Sequence, residues 1–185
     1  MNVDFLNPFL EAAAHVLKAE LGVEMDRGPI SLAKGSLTSD EVTVLIAVVG
    51  QVQGVVFYGM SAQTGLAMVS RIMDQPFEAL DSLAQSGIAE LGNVISGRAA
   101  INLSQAGYQC TISPPTVVLG KGVRITTLDF GRIVVPLGTE LGELVVHLAV
   151  RNGAPEGEGA LQTAEFPELI QPQEGPAGST ADAAN

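Results

Sequence analysis

The sequence predicts an α+β protein in which helices pack on a largely antiparallel β-sheet. Three features carry that expectation. Apolar residues recur at helical spacing in Leu10, Ala13, Ala14, Leu17 and Leu21, and again in Ala84, Ile88, Leu91, Ile95 and Ala99. Two β-rich runs, 42–49 and 53–58, meet across Gly50-Gln51, and a series of short strand-like runs follows Gly107.

In chain order, Asn7 followed by Pro8 offers an N-cap and a first helical residue, with Asp4 as the alternative start one turn earlier. Gly22 is placed to stop this helix. His15 lies within it without a second ligand nearby and reads as a surface or packed residue. Gly28, Pro29 and Gly35 break regular structure over 27–36, leaving a loop with a short edge strand. The runs 42–49 and 53–58 then form an antiparallel hairpin. Ser61 is the cap of a helix over 64–73 whose buried side is read as Leu66, Ala67, Val69 and Ile72, and Pro76 ends it. Asp81 or Leu80 opens the longest helix, which runs to Gln105 before Gly107 stops it. Strands are expected at 109–112, 116–119, 123–128, 132–136 and 141–150, with a turn at Gly120-Lys121-Gly122. His147, inside the last of them, is expected to be a satisfied structural residue.

The length of 185 residues suits one domain with a substantial core. The apolar runs are too short to span a bilayer, and the N-terminus lacks the basic segment and apolar run of a secretory signal, so a cytoplasmic protein is expected. Cys110 is the only cysteine and there are two histidines, which excludes an intrachain disulfide and gives no zinc pattern; no metal site is expected. The net charge of -11 argues against a nucleic-acid surface, which needs clustered Lys and Arg. Six of the twenty acidic residues lie after Arg151, where there is no basic residue. The division is therefore read as a folded domain over 1–152 and an acidic Ala/Gly/Pro/Glu-rich tail over 153–185, expected to be disordered because it has too little apolar surface to offset its ordering entropy.

The longest helix has an unusual second face. At about 100° per residue, Ser86, Glu90, Asn93 and Gly97 fall within an arc of roughly 60°, opposite the apolar stripe. Exposed helix faces usually carry Lys, Glu, Gln and Arg, whose long stems cover the backbone. Here Ala89, Ser96 and Ala100 extend a small-residue surface beside the arc. Another macromolecule could lie almost against the helix, with Glu90 and Asn93 as the groups reaching into it.

The segment Asp81-Ser-Leu-Ala-Gln-Ser86-Gly-Ile-Ala-Glu90-Leu-Gly-Asn93-Val-Ile-Ser-Gly97, followed by Ile112-Ser-Pro114-Pro115-Thr116-Val-Val-Leu-Gly120, closely resembles the CheX family of bacterial chemotaxis phosphatases, related to CheC and FliY. That family carries Ser or Asp, then Glu, then Asn on one helix, and a proline a little over twenty residues later, matched here by Pro115. The resemblance covers Asn7 to about Val150 and agrees with the order of elements above. It implies hydrolysis of the aspartyl phosphate on a CheY-like receiver domain, ending a chemotaxis or related two-component signal. In that role Asn93 would position the attacking water and Glu90 would pair with the receiver's lysine, while Ser86, Ala89, Gly97 and Pro115 would contact the receiver. The Mg²⁺ would belong to the receiver, with no cofactor bound by this chain. CheC-type relatives carry two such motifs. This chain has one, since Glu11 is followed by Ala14 and not by Asn, and the CheX branch implies a homodimer joined through an edge strand of the sheet.

A second reading uses the same face without turnover, as a module that docks on a receiver or another signalling partner. A small-ligand domain has no support, since there is no glycine-rich phosphate loop after a strand and no convergent acid cluster. Truncation after Gly153 is expected to leave melting temperature, dimer and phosphatase activity unchanged; loss of soluble dimer by sedimentation would contradict the boundary.

Overall fold

The computed structural model describes residues 3–125 and 131–153. The expected tail over 154–185 and part of the expected strand 123–128 lie outside the described residues.

Helix α1 spans Leu6–Leu21 and follows a 3-10 turn at Val3–Phe5. Its N-cap position is Phe5, with no side-chain cap, so Asn7 and Pro8 lie inside the first turn and neither starts the helix. Gly22 ends it in the left-handed conformation (φ 69°), its amide donating to the Lys18 carbonyl and the next amide, of Val23, to that of Leu17. Three short strands follow, β1 (Asp26–Arg27), β2 (Ser31–Ala33) and β3 (Leu37–Thr38), then the hairpin β4 (Val42–Gly50) and β5 (Val52–Met60). Helix α2 (Ala62–Ile72) is capped by Ser61, whose Oγ accepts from the Thr64 amide at 3.0 Å. Helix α3 (Ser82–Gln105) is capped by Asp81, whose Oδ1 accepts from the Ala84 amide at 2.8 Å. The remaining strands are β6 (Cys110–Ile112), β7 (Thr116–Leu119), β8 (Arg124–Ile125), β9 (Arg132–Thr139) and β10 (Gly142–Asn152).

Among the described residues the main sheet runs β1-β9-β10-β5-β4-β6, with β2 also on β9 and β7 also on β4, and every pairing is antiparallel. A separate two-stranded sheet joins β3 to β8. The register aligns side chains in rows: Val42, Met60, Leu144 and Leu137; Val44, Tyr58, Val146 and Val135; Ile46, Val56, Leu148 and Ile133. All are buried in one core with the inner faces of the three helices, so the helices cover one face of the sheet. On α2 the buried residues are Thr64, Gly65, Met68 and Val69. The expected stripe through Leu66 and Ala67 is rotated relative to this, because Thr64 and Gly65 are too weakly apolar to stand out in the periodicity, yet their size lets the helix sit close to its neighbours.

On the other face of the sheet, Leu45, Phe57, His147 and Val134 form a row. Phe57 is fully buried there. His147 departs from the expectation that it would be satisfied: its Nδ1 is shut off from solvent with no hydrogen-bond partner among the described residues. Burial, with the nearby Arg132 charge, lowers its pKa to about 4 from 6.5. The neutral ring is thus the folded form, whereas the unfolded chain takes up a proton near the ordinary value. The stability held by this group is complete above about pH 6.5 and is lost as pH falls through 6.5 towards 4. Denaturant unfolding should therefore show the wild type losing more stability than His147→Leu between about pH 7 and 5, where carboxylates contribute little; parallel losses would contradict this.

Candidate functional site

Helix α3 is 24 residues long, about 36 Å at 1.5 Å per residue. Ala84, Ile88, Leu91, Ile95, Ala99 and Leu103 bury its inner face. Two glycines let it approach its neighbours closely. A Cβ on Gly92 would lie 2.9 Å from Val44 Cγ1 and 3.3 Å from Tyr58 Cδ2 in the sheet. A Cβ on Gly87 would lie 2.5 Å from Val69 Cγ2 and 3.0 Å from Met73 Cε on the α2 side. Tyr58 and Ser96 share a buried hydroxyl–hydroxyl hydrogen bond of 2.8 Å, and burial raises the Tyr58 pKa well above the usual phenol range. At the far end, Asn102 Nδ2 donates to the Pro8 carbonyl at 3.1 Å, and the Phe5 and Tyr108 rings meet edge to face at 5.1 Å.

The outward face holds the expected residues together. Glu90 is exposed and Asn93 half-buried, and Asn93 Nδ2 donates to Glu90 Oε2 at 3.3 Å. This leaves the amide oxygen Oδ1 available to another group. The Ser86 hydroxyl donates back to the Ser82 carbonyl at 2.8 Å, so Ser86 adds only a small contour to the surface. Ala89 and Gly97 are half-buried, and a Cβ on Gly97 would meet only Ile112 Cδ1, at 3.9 Å. Pro115 stands in the break between β6 and β7, both paired with β4, where the register slips by one residue. A missing amide is tolerated on such an edge, and Ser113 Oγ accepts there from the Ala47 amide at 3.0 Å. Pro115 is thus three residues from Ile112, the side chain facing Gly97.

Two parts of the sequence reading of this face are corrected. Ser96 is fully buried against Tyr58 and is no part of the small-residue surface. Nor are Glu90 and Asn93 the sole reaching groups: Leu83, Val94 and Ile101 are 49%, 37% and 54% exposed and form an apolar strip beside them. At 100° per residue these three fall within about 20° of one another, a signal the helical wheel contains. Among the described residues, no three His, Cys, Asp or Glu side chains converge as a metal-binding group. No helix among them is long and apolar enough to cross a membrane.

A long helix seated on an antiparallel sheet thus presents an acid and an amide one turn apart beside an apolar strip. The family model for Chemotaxis phosphatase CheX matches residues 42–138. The CheY-P phosphatase CheX of Thermotoga maritima is 31% identical over 156 residues, which cover 83% of this chain and 99% of that protein. Among solved structures, a CheC-like superfamily protein from Shewanella sp. PV-4 has a TM-score of 0.74 and 30% identity, covering 82% of this chain and all of its own. The CheX-CheY-BeF3-Mg²⁺ complex from Borrelia burgdorferi contains a chain with a TM-score of 0.68 and 26% identity, covering 82% and 100%. The chain belongs to the CheX family of chemotaxis phosphatases.

The two α3 glycines Gly92 and Gly97 are expected to respond oppositely to alanine. Gly97→Ala meets only ordinary contact and should raise stability by up to about 1 kcal/mol through helix propensity. Gly92→Ala should lower it, since overpacking costs about 1–3 kcal/mol. Denaturant melts of the two variants check the contrast.

Proposed function

We propose that Asn93 and Glu90 carry out the activity that family membership brings, hydrolysis of the aspartyl phosphate on a CheY-like receiver domain. The observation that carries the reading is the Asn93–Glu90 pair on the exposed face of α3, with the amide nitrogen turned to the carboxylate.

An acyl phosphate is already activated, so catalysis consists mainly in placing a water in line with the P–O bond to the aspartate. Asn93 is suited to this. Its Oδ1 can accept a hydrogen bond from the water and turn an oxygen lone pair toward phosphorus, both water protons leaving on the phosphate, and a neutral amide does not repel the phosphoryl group. Glu90 holds the other end of the amide and so fixes its orientation. The remaining carboxylate oxygen can pair with the receiver's lysine, which sets the docking register and offsets the repulsion between Glu90 and the phosphoryl oxygens. The bond that forms is water oxygen to phosphorus, and the bond that breaks is phosphorus to the aspartate oxygen, releasing inorganic phosphate. Mg²⁺ is held by the receiver. Ser86, Ala89 and Gly97 keep the surface low enough for α3 to reach the receiver's active site, and Pro115 bounds it on the side of β6 and β7.

We also infer a homodimer formed through a sheet edge and a cytoplasmic setting. The exposed Leu32 within the edge strand β2, and Ile30 just before it, at 74% and 45%, favour pairing there.

The test is loss of acyl phosphate from a purified receiver with Mg²⁺ present. Asn93→Ala should lower kcat by about a hundredfold or more with binding retained. Glu90→Ala should weaken binding by about tenfold to a hundredfold. Full activity in Asn93→Ala would remove the water-positioning role, and phosphorylation-dependent binding by the unmodified chain without turnover would make it a docking module.

A further inference from the structure

We propose that the groove between α1, α2 and α3, next to Glu90, takes a basic side chain from the receiver's surface outside its phosphorylation site, and that Glu20 binds the charge of that side chain. The inference rests on the preceding reading, in which α3 docks on a receiver, and it adds a determinant of which receiver is accepted.

The groove has a volume of about 300 Å³. Ile72 and Met73 from the end of α2, with Leu91 and Val94 from α3, give it apolar walls, and the carboxylates of Glu20 and Glu90 line it as well. This combination matches Lys or Arg, whose aliphatic stem lies on apolar surface while the cation meets a carboxylate. A purely apolar side chain would desolvate the Glu20 carboxylate without a partner, and a short polar one would leave the walls uncovered. The basic residues of this region are engaged elsewhere. Lys18 Nζ pairs with Glu24 Oε1 at 2.6 Å. Arg71 pairs with Glu140 Oε1 at 3.1 Å and donates to the Leu21 carbonyl at 3.2 Å. Glu20 is exposed and free to meet a cation brought by the partner.

Continuity with the docking face selects the receiver as the source. Glu90 belongs both to the groove and to the pair with Asn93, and the half-exposed Val94 belongs both to the groove and to the apolar strip. A domain seated over Asn93 therefore also covers the groove mouth. Glu90 is committed to the register of the active site, so Glu20 is the carboxylate left to discriminate among receivers.

The experiment measures kcat and KM for receiver dephosphorylation, across a range of salt, with the full chain and its Glu20→Gln, Glu20→Lys and Glu24→Gln variants. Glu20→Gln is expected to raise KM about threefold to tenfold and Glu20→Lys more than tenfold, with kcat held within about twofold and a weaker dependence of KM on salt. Glu24→Gln, which removes the same charge outside the groove but releases Lys18, should raise KM by less than Glu20→Gln. Charge reversal of one receiver Lys or Arg outside the phosphorylation site should restore KM for Glu20→Lys. Wild-type KM in Glu20→Lys, a loss confined to kcat, or no rescue by any receiver charge reversal would overturn the inference and leave the phosphatase reading standing. Absence of both turnover and phosphorylation-dependent binding in the unmodified chain would overturn the two together.

Discussion

Everything at the site depends on how closely α3 lies on the sheet. Gly92 brings the helix backbone within contact of Val44 and Tyr58, and Gly87 does the same for Val69 and Met73. A side chain at either position would lift or tilt the helix, at the cost of overpacking a close contact. The Tyr58–Ser96 hydrogen bond then fixes rotation about the helix axis, because a buried hydroxyl without its partner is costly. Asp81 holds the first turn and Asn102 ties the last turns to α1. With depth, rotation and both ends set, Glu90 and Asn93 stand on a rigid element, as the proposed positioning of one water would require.

The same packing is compatible with exposure of the proposed reacting groups. Enzymes that must perturb an acid or base usually bury it, and such sites are found as clefts. In the proposed reading the difficult chemistry is already stored in the acyl phosphate, the receiver brings the metal and the enclosing walls, and Asn93 needs only to be presented at the right height. Small residues at Ser86, Ala89 and Gly97 would provide that clearance. Two glycines five residues apart on one helix differ in their surroundings: a Cβ on Gly92 would collide with Val44, while one on Gly97 would make only ordinary contact with Ile112.

Much of this was legible in the sequence because the signals were local. The 3.6-residue period of α3, the Asp81 cap, the Gly22 stop and the β4–β5 hairpin depend on neighbours along the chain, and the Glu90–Asn93 pair sits within one turn. What was not legible depends on distant partners. Ser96 reads as a small polar surface residue until Tyr58, thirty-eight positions earlier, is placed beneath it. The start of α1 was misplaced because Asn7-Pro8 carries a strong cap signal, while the preceding residues Phe5 and Leu6 are drawn into the core and carry the helix back past it. The unsatisfied His147 and the meeting of Glu20 with Glu90 in one groove likewise arise only from tertiary arrangement. The strip of Leu83, Val94 and Ile101 differs, since its period was present and was passed over by attending to the small residues.

In the proposed reading, that strip and the acid–amide pair divide the work of a catalyst acting on a protein. Leu83 to Ile101 spans about 27 Å of helix, comparable to the width of a small domain, so apolar contact along it can align a receiver before any chemistry begins. Strong affinity for the receiver as such would be counterproductive, because the dephosphorylated product keeps the same surface and must leave. The interaction that distinguishes substrate from product has to lie at the phosphoryl group, where Glu90 alone would be repulsive. With Glu90 and Asn93 in the proposed roles, a carboxylate there would make docking conditional on a lysine that neutralises it, so that only a receiver with that lysine in its active site would bring its phosphate up to Asn93. On this view the acid at the reaction centre serves selection, and the neutral amide next to it is left to direct the water.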